Sequence, residues 1–143
     1  MKYQQILLNQ DYQQSLRCHQ NFPIFDFHLK KRNKHPITLL SFKTDSPRSC
    51  GILDVNKDGT LVNFFEKMEN PPSDLANGAV YIINCDCFQE IVDLGNISDI
   101  SLDMIPKFIG RINVWHNSCY HRDIGTLDSY AVALRDFAAY SDE

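Results

Sequence analysis

Gly78-Ala79-Val80-Tyr81-Ile82-Ile83 is an unbroken run of apolar and strand-forming residues. A strand with one wet face alternates apolar and polar positions, whereas this run offers no polar alternate. It therefore predicts an inner strand covered on both faces, the situation met in α/β sheets.

Working outward, Pro36-Ile37-Thr38-Leu39-Leu40-Ser41-Phe42 is a second run of strand formers. Cys50–Val55 and Thr60–Phe65 are two more, joined by Asn56-Lys57-Asp58-Gly59. An Asp-Gly step supplies the positive φ of a tight connection, so these two form a hairpin. Ile6-Leu7-Leu8 predicts a short buried strand whose carboxyl end delivers Asn9-Gln10-Asp11, the usual place for a site in an α/β sheet. Apolar residues at helical spacing over Phe22–Leu29, with Asn21 as a possible cap and Pro23 in the first turn, predict a helix. The basic run Lys30–Lys34 that follows suits a solvated helix terminus, with a phosphate-binding patch as the alternative.

Further along, a helix is expected around Phe88–Val92, another over Leu102–Ile109, and a strand at Ile112–Trp115. Thr126 then caps a last helix, in which Leu127, Tyr130, Ala131, Leu134, Phe137 and Ala138 make an apolar stripe expected to pack on the sheet. Strands and helices alternate, with one hairpin interrupting. The fold class is α/β, a mixed sheet with helices on its faces, in one domain over residues 1–143 without repeats or linkers.

Composition limits the partners. A formal net charge of −4 does not furnish the basic face that nucleic acid or an anionic membrane would require. No apolar run approaches the roughly 20 residues of a spanning helix, and a cytoplasmic location is expected. Five cysteines (Cys18, Cys50, Cys85, Cys87 and Cys119) form an odd set without disulfide-framework spacing. Cys85 and Cys87 are one residue apart, not the C-x-x-C of a structural zinc site. The histidines lack metal-site spacing and a nucleophile to activate, and are assigned no chemistry.

Phe65-Glu66-Lys67, Asn70-Pro71-Pro72, Asn77-Gly78-Ala79-Val80-Tyr81 and His121-Arg122-Asp123-Ile124-Gly125-Thr126 together carry a family resemblance. From about Ile6 to Leu134 the chain resembles the sugar-phosphate-binding part of the sugar-1-phosphate nucleotidyltransferases. It is most similar to bacterial guanylyltransferases acting on D-glycero-D-manno-heptose 1-phosphate or mannose 1-phosphate. The resemblance implies a mainly parallel, Rossmann-like sheet without its leading strand-loop-helix unit. It also implies the substrates, a sugar 1-phosphate and a nucleoside triphosphate, with GTP expected.

In that chemistry a sugar phosphate oxygen attacks the α-phosphorus and pyrophosphate leaves, so two polyanions must be brought together. Mg²⁺ on one or two carboxylates, with a cation where charge accumulates, solves this. By resemblance Asp11 and Asp123 are the catalytic pair and the metal ligands; Asn9-Gln10-Asp11-Tyr12 departs from the family pattern, in which N-A-D-N stands. Lys67 is implied at the sugar phosphate and Glu66 at the sugar hydroxyls, since a carboxylate accepts two hydroxyls at once. Taken alone, Glu66-Lys67 reads as an ordinary solvated charge pair, and it is Asn70-Pro71-Pro72 and Asn77-Gly78 at the family spacing that turn the reading to a site.

Asn77, Gly78, Gly51 and Gly125 complete the implied binding set. Gly51 and Gly78 suit close approach of backbone to ligand or, alternatively, a strand irregularity. Met68 stands where most relatives carry proline, and Arg122 is left outside the core site. The six glycines are too scattered to build the family's Gly-rich loop. The resemblance then implies that the nucleotide-binding half is absent and that this chain turns over little by itself. A different class of reading is a non-catalytic binding module, or one half of a split enzyme, that self-associates or takes a partner chain.

Overall fold

The computed structural model describes residues 5–9, 23–95 and 97–141, with side chains over 23–95 and 97–138. Its strands are β1 (Gln5–Asn9), β2 (Ile37–Lys43), β3 (Gly51–Val55), β4 (Leu61–Glu66), β5 (Leu75–Asn84) and β6 (Ile112–His116). Four α-helices accompany them among the described residues: α1 (Pro23–Lys31), α2 (Cys85–Asp93), α3 (Ile105–Phe108) and α4 (Leu127–Ser141). The sheet order is β4-β3-β5-β2-β6, with β1 beside β5. β5 is the axis of this arrangement. Its first residues pair with β3 through Ile52 and Ala76, and its last five run parallel to β1.

The other flank of β5 is taken by β2, antiparallel, and β2 in turn runs parallel to β6. Parallel pairing therefore joins β1 to β5 and β2 to β6, while β2–β5, β3–β4 and β3–β5 are antiparallel. The sheet is mixed, as expected, with a larger antiparallel share than the mainly parallel sheet the resemblance implied. The antiparallel share comes from β2 against β5 and from the hairpin, which brings β3 and β4 in as a ribbon on one end of β5.

Alternation along the inner strands sends side chains to two covered faces. Ile37 and Leu39 of β2, Tyr81 and Ile83 of β5 and Ile112 of β6 point to one layer, where Cys87 and Ile91 of α2 and Ile105 and Phe108 of α3 cover them. Leu40 and Ile82 point to the opposite layer, against Ile24 of α1. This is what the unbroken apolar run of β5 required. On the α1 side the core is partly polar. His28 is fully buried, with Nδ1 2.8 Å from the Thr38 hydroxyl and Nε2 3.0 Å from Asn84 Oδ1. Because Asn84 directs its NH₂ to the Arg32 carbonyl, its oxygen faces the ring. Nε2 therefore carries the proton, and Nδ1 accepts from Thr38.

β5 is longer than the run that announced it, and it is kinked where it changes partners. Between Leu39↔Tyr81 and Ser41↔Asn77 the strand carries extra residues opposite Leu40. Ala79 there adopts φ 55°, and its N–H bonds the Asn77 side-chain oxygen at 3.0 Å. A side chain at Gly78 would overlap Leu40 and lie 3.1 Å from its carbonyl oxygen. The glycine is thus explained by a bulge.

The hairpin turn follows expectation, with Gly59 at φ 81° and Asn56 Oδ1 accepting from the N–H groups of Asp58 and Thr60. The helix expected over Leu102–Ile109 instead begins as a π turn over Ile100–Met104, and α3 follows. Pro106 has no N–H to return to the Leu102 carbonyl. Ile105 N–H bonds Ile100 O, the wider spacing, and Asp99 caps the turn by accepting from Ser101 and Leu102.

One expectation fails. The apolar stripe of α4 does not pack on the sheet: Leu127 is 87% exposed, Phe137 72%, Leu134 53% and Tyr130 49%. Residues of α2 and α3 on one face and Ile24 of α1 on the other already pack against the described inner strands.

Candidate active site

A cleft of about 1100 Å³ opens at the end of β2. One wall is the chain that leaves β2, from Phe42 to Ser46, with Ser49 and Cys50. The other is the segment 116–126 that leaves β6, continued by Asp128, Ser129 and Val132 of α4. Lys67, just past the end of β4, reaches in from the hairpin.

Each side chain is placed by its local fold. Gly51 pairs with Glu66, which carries the strand end to Lys67, and Lys67 N–H bonds the Cys50 carbonyl at 3.3 Å. Lys67 holds φ 46°, a costly conformation for a residue with a side chain, at the point where the strand must turn. Its ammonium has no carboxylate within ion-pair distance among the described residues, and it is solvent exposed.

Asp123 folds back on its own loop: Oδ1 accepts the Gly125 N–H at 3.0 Å. A side-chain carbon on Gly125 would sit 3.2 Å from that oxygen, so glycine leaves room for the turn. Thr126 then caps α4, reciprocally with Ser129; Ser129 N–H donates to the Thr126 hydroxyl and Thr126 N–H to that of Ser129, both at 3.1 Å.

Lys67, Asp123 and Gly125 thus face one cavity, although Lys67 is separated from the other two by most of β5, α2, α3 and β6. The remaining expected residues stand behind the wall. A side chain at Gly51 would crowd the Phe64 ring and approach Glu66 Oε2 to 2.8 Å, so the space beside it is filled by protein. Glu66 lies next to Gly51, half-buried. Asn77 is committed internally: its NH₂ donates to the Tyr81 hydroxyl at 2.7 Å and its oxygen accepts from Ala79. Burial pushes the Tyr81 phenol up to about 12. Gly78 sits in the bulge, with His121 Nε2 beyond it. Asp11 lies outside the described residues.

Most lining residues carried no role in the sequence, and two of them, His121 and Arg122, bear on the charge of the cleft. His121 lies against Phe42, ring centroids 4.4 Å apart. Burial lowers its pKa, against a smaller raising effect from Asp123. Arg122, beside it, is neutralised by Asp45 at 3.2 Å and Asp136 at 3.4 Å. Asp45 is held below the usual carboxylate range first by the Ser46 hydroxyl and then by Arg122. The signal available in sequence was only adjacency to Asp123, because Asp45 lies 77 residues away.

As for a cation, no group of three or more His, Cys, Asp or Glu side chains converges among the described residues. Asp123 offers a hard oxygen donor with one oxygen left by its own turn. Such a carboxylate fits Mg²⁺, which takes one or two protein carboxylates and leaves its other positions to water and phosphate.

The cleft at the end of the sheet strands thus carries Lys43 and Lys67 with Asp45, Asp123 and Asp128 on its lining. The sequence profile of the family described as Nucleotidyl transferase matches residues 5–139. The chain belongs to the nucleotidyl transferase family. It is 27% identical over 128 residues to a glucose-1-phosphate adenylyltransferase of Clostridium beijerinckii, covering 84% of this chain and 33% of that protein. It is 28% identical over 116 residues to one from Thermotoga maritima, covering 75% of this chain and 27% of the relative.

In structure it resembles a putative glucose-1-phosphate thymidylyltransferase from Bacillus anthracis, solved in complex with a sucrose. The TM-score is 0.64 at 21% identity, over 79% of this chain and 48% of that one. This nucleotidyl transferase chain spans about a third of the length of the curated relatives it matches. No helix among its described residues is long and apolar enough to cross a membrane.

Proposed function

We propose that the cleft binds a sugar 1-phosphate, Lys67 meeting the phosphate, for transfer of a nucleotidyl group from a nucleoside triphosphate to give a nucleoside diphosphate sugar. The observation that carries this is Lys67 itself. It is an ammonium held at a strained turn, without a carboxylate partner among the described residues, lining the same cleft as Asp123. An anion entering there gains a charge-assisted contact that the protein does not already satisfy. Arg122, a stronger phosphate ligand in principle, is already occupied by two carboxylates.

Asp123, with Asp11, would hold Mg²⁺, which would supply neutralisation of the charge that gathers as pyrophosphate leaves. Glu66 and Asn77 would meet sugar hydroxyls, Asn77 only by giving up the Tyr81 bond. Gly125 lies on the cleft wall, while Gly51 and Gly78 stand behind it and would take part only by leaving room for neighbouring side chains. The motif resemblance favours GTP with a heptose or mannose 1-phosphate, while the names of the relatives carry adenylyl and thymidylyl transfer to glucose 1-phosphate. The test spans both: calorimetric titration with mannose, heptose and glucose 1-phosphates, with and without Mg²⁺, followed by pyrophosphate-release assays with GTP, ATP and dTTP. Lys67→Ala should weaken sugar-phosphate binding at least about tenfold, the scale of one charged hydrogen bond. Unchanged affinity in that variant refutes the phosphate role.

A second reading has its own support. Ile124, Leu127, Tyr130 and Leu134 are all exposed, a surface suited to a protein partner or to a second copy in a non-catalytic or split assembly. Binding of a sugar 1-phosphate without turnover, together with a mass above the monomer by light scattering, would favour it.

A further inference from the structure

Arg122 ties together three segments that border the cleft. Its Nη2 donates to Asp45 Oδ2 at 3.2 Å, on the loop that leaves β2. Its Nε donates to the Tyr120 hydroxyl at 3.2 Å and pairs with Asp136 Oδ2 at 3.4 Å. The Tyr120 hydroxyl donates to the same Asp136 oxygen at 2.7 Å. Asp136 belongs to α4, two turns beyond Ser129 and one beyond Val132, which line the cavity.

The geometry matters because α4 lacks the usual anchor. Its large apolar residues Leu127, Leu134 and Phe137 are mostly exposed, so hydrophobic burial supplies little of the force holding this helix in place. A guanidinium is well matched to such a tie, because its planar fork can engage acceptors on two sides at once, which a lysine ammonium on a flexible stem does less well. The side chain is only 23% exposed, and Asp136 only 33%, which strengthens the pair relative to an open surface bridge.

We infer that Arg122 is a positioning residue, a latch that holds α4 to the loop after β2 and so fixes the spacing of the two cleft walls around Asp123. The latch deepens the sugar-phosphate reading given above and rests on it only for its effect on binding. It also differs from the simpler role of Arg122 as a direct phosphate ligand, in which Asp136 would compete with the ligand instead of helping it.

The experiment compares wild type with Arg122→Ala, Arg122→Lys, Asp136→Asn, Asp45→Asn and the Arg122→Ala/Asp136→Asn pair. Hydrogen exchange of the α4 amides and affinity for mannose 1-phosphate with Mg²⁺ are both measured. Exchange over 127–138 should rise about tenfold in Arg122→Ala and in Asp136→Asn, with β2 and β5 amides unchanged, and Arg122→Lys should restore part of the protection. Affinity should fall in both single variants, and the pair should be no weaker than Arg122→Ala, as expected for partners in one interaction.

Unchanged α4 exchange in both single variants overturns the latch. Equal or tighter binding by Asp136→Asn, with loss in Arg122→Ala, overturns it in favour of direct phosphate contact. Should wild type bind no sugar 1-phosphate at all, the functional reading falls and the exchange data alone decide the latch.

Discussion

Two helices of this chain carry apolar residues at the same spacing and meet opposite fates. In α2, Cys87 and Ile91 stand four apart and are buried against the sheet; in α4, Tyr130 and Leu134 stand four apart and face solvent. The difference lies in what the rest of the fold offers. α2 follows β5 directly and drops onto the layer of Tyr81 and Ile83, whereas α4 arrives after both faces of the inner strands are taken. A helical stripe therefore reports the ability to bury a face, and topology decides whether a face is available. The sheet interior is held by area removed from water, the C-terminal limb by directed polar contacts such as Arg122–Asp136.

The comparison is broken most directly by truncation in the interior. Ile83 is 1% exposed between α2 and β2, and Ile83→Ala should cost about 2–5 kcal/mol, the range for deleting a buried aliphatic side chain. Chemical denaturation at neutral pH measures it. A loss under about 1 kcal/mol would mean that the interior is as loosely held as the limb.

The polar spot in the α1 layer gives a pH handle on the same interior. Burial lowers the pKa of His28, against a smaller raising effect from Asn84. The folded state keeps the ring neutral while the unfolded chain takes a proton near pH 6.5, so below that pH the unfolded state binds more protons. Stability contributed by neutral His28 is present above about pH 6.5 and is lost as pH falls through and below it. His35 shifts in the same direction, chiefly through burial, and adds to the slope. His28→Gln should flatten the dependence of unfolding free energy between pH 7.5 and 5. A slope identical to wild type would place the acid sensitivity elsewhere.

How much of this was legible in the sequence follows the same division. The hairpin turn could be read from Asp58-Gly59, and the two-sided burial of β5 from its unbroken run, because both depend on neighbours in the chain. The bulge could not: Gly78 suited either close approach to a ligand or a strand irregularity, and only the presence of Leu40 across the ladder decides what fills the space beside it. The π turn has a local cause in Pro106, whose missing N–H marked the place without fixing the wider spacing that Ile105 adopts. In the cleft, the family resemblance singled out Lys67, Asp123 and Gly125, but their meeting depends on how β4 and β6 end. The Arg122 contact with Asp45, across 77 residues, leaves no trace in spacing at all.

Lys67 sharpens the contrast between holding the fold and holding a ligand. It is exposed and makes no ion pair among the described residues, so Lys67→Ala should shift stability by no more than about 0.5 kcal/mol while weakening sugar-phosphate binding about tenfold. Its strained backbone adds a second probe. Lys67→Gly relieves the positive φ and should raise stability slightly while losing the same affinity, which separates the ammonium from the turn that presents it.

The smallest effect is the most telling for the limb. Leu134→Ala removes a large aliphatic side chain from a helix, which in the interior would cost several kcal/mol. At 53% exposure the side chain has lost about half of its water contact, and alanine is the better helix former, which offsets part of what remains. The net change should stay within about 0.5 kcal/mol, read from the same denaturation curves as Ile83→Ala. If Leu134→Ala is instead costly, and the cost depends on protein concentration, the exposed face of α4 is buried in solution against a second copy. A cost independent of concentration would mean that the helix is held to its own chain by apolar contact after all, and the division between an apolar interior and a polar-tied limb would have to be given up.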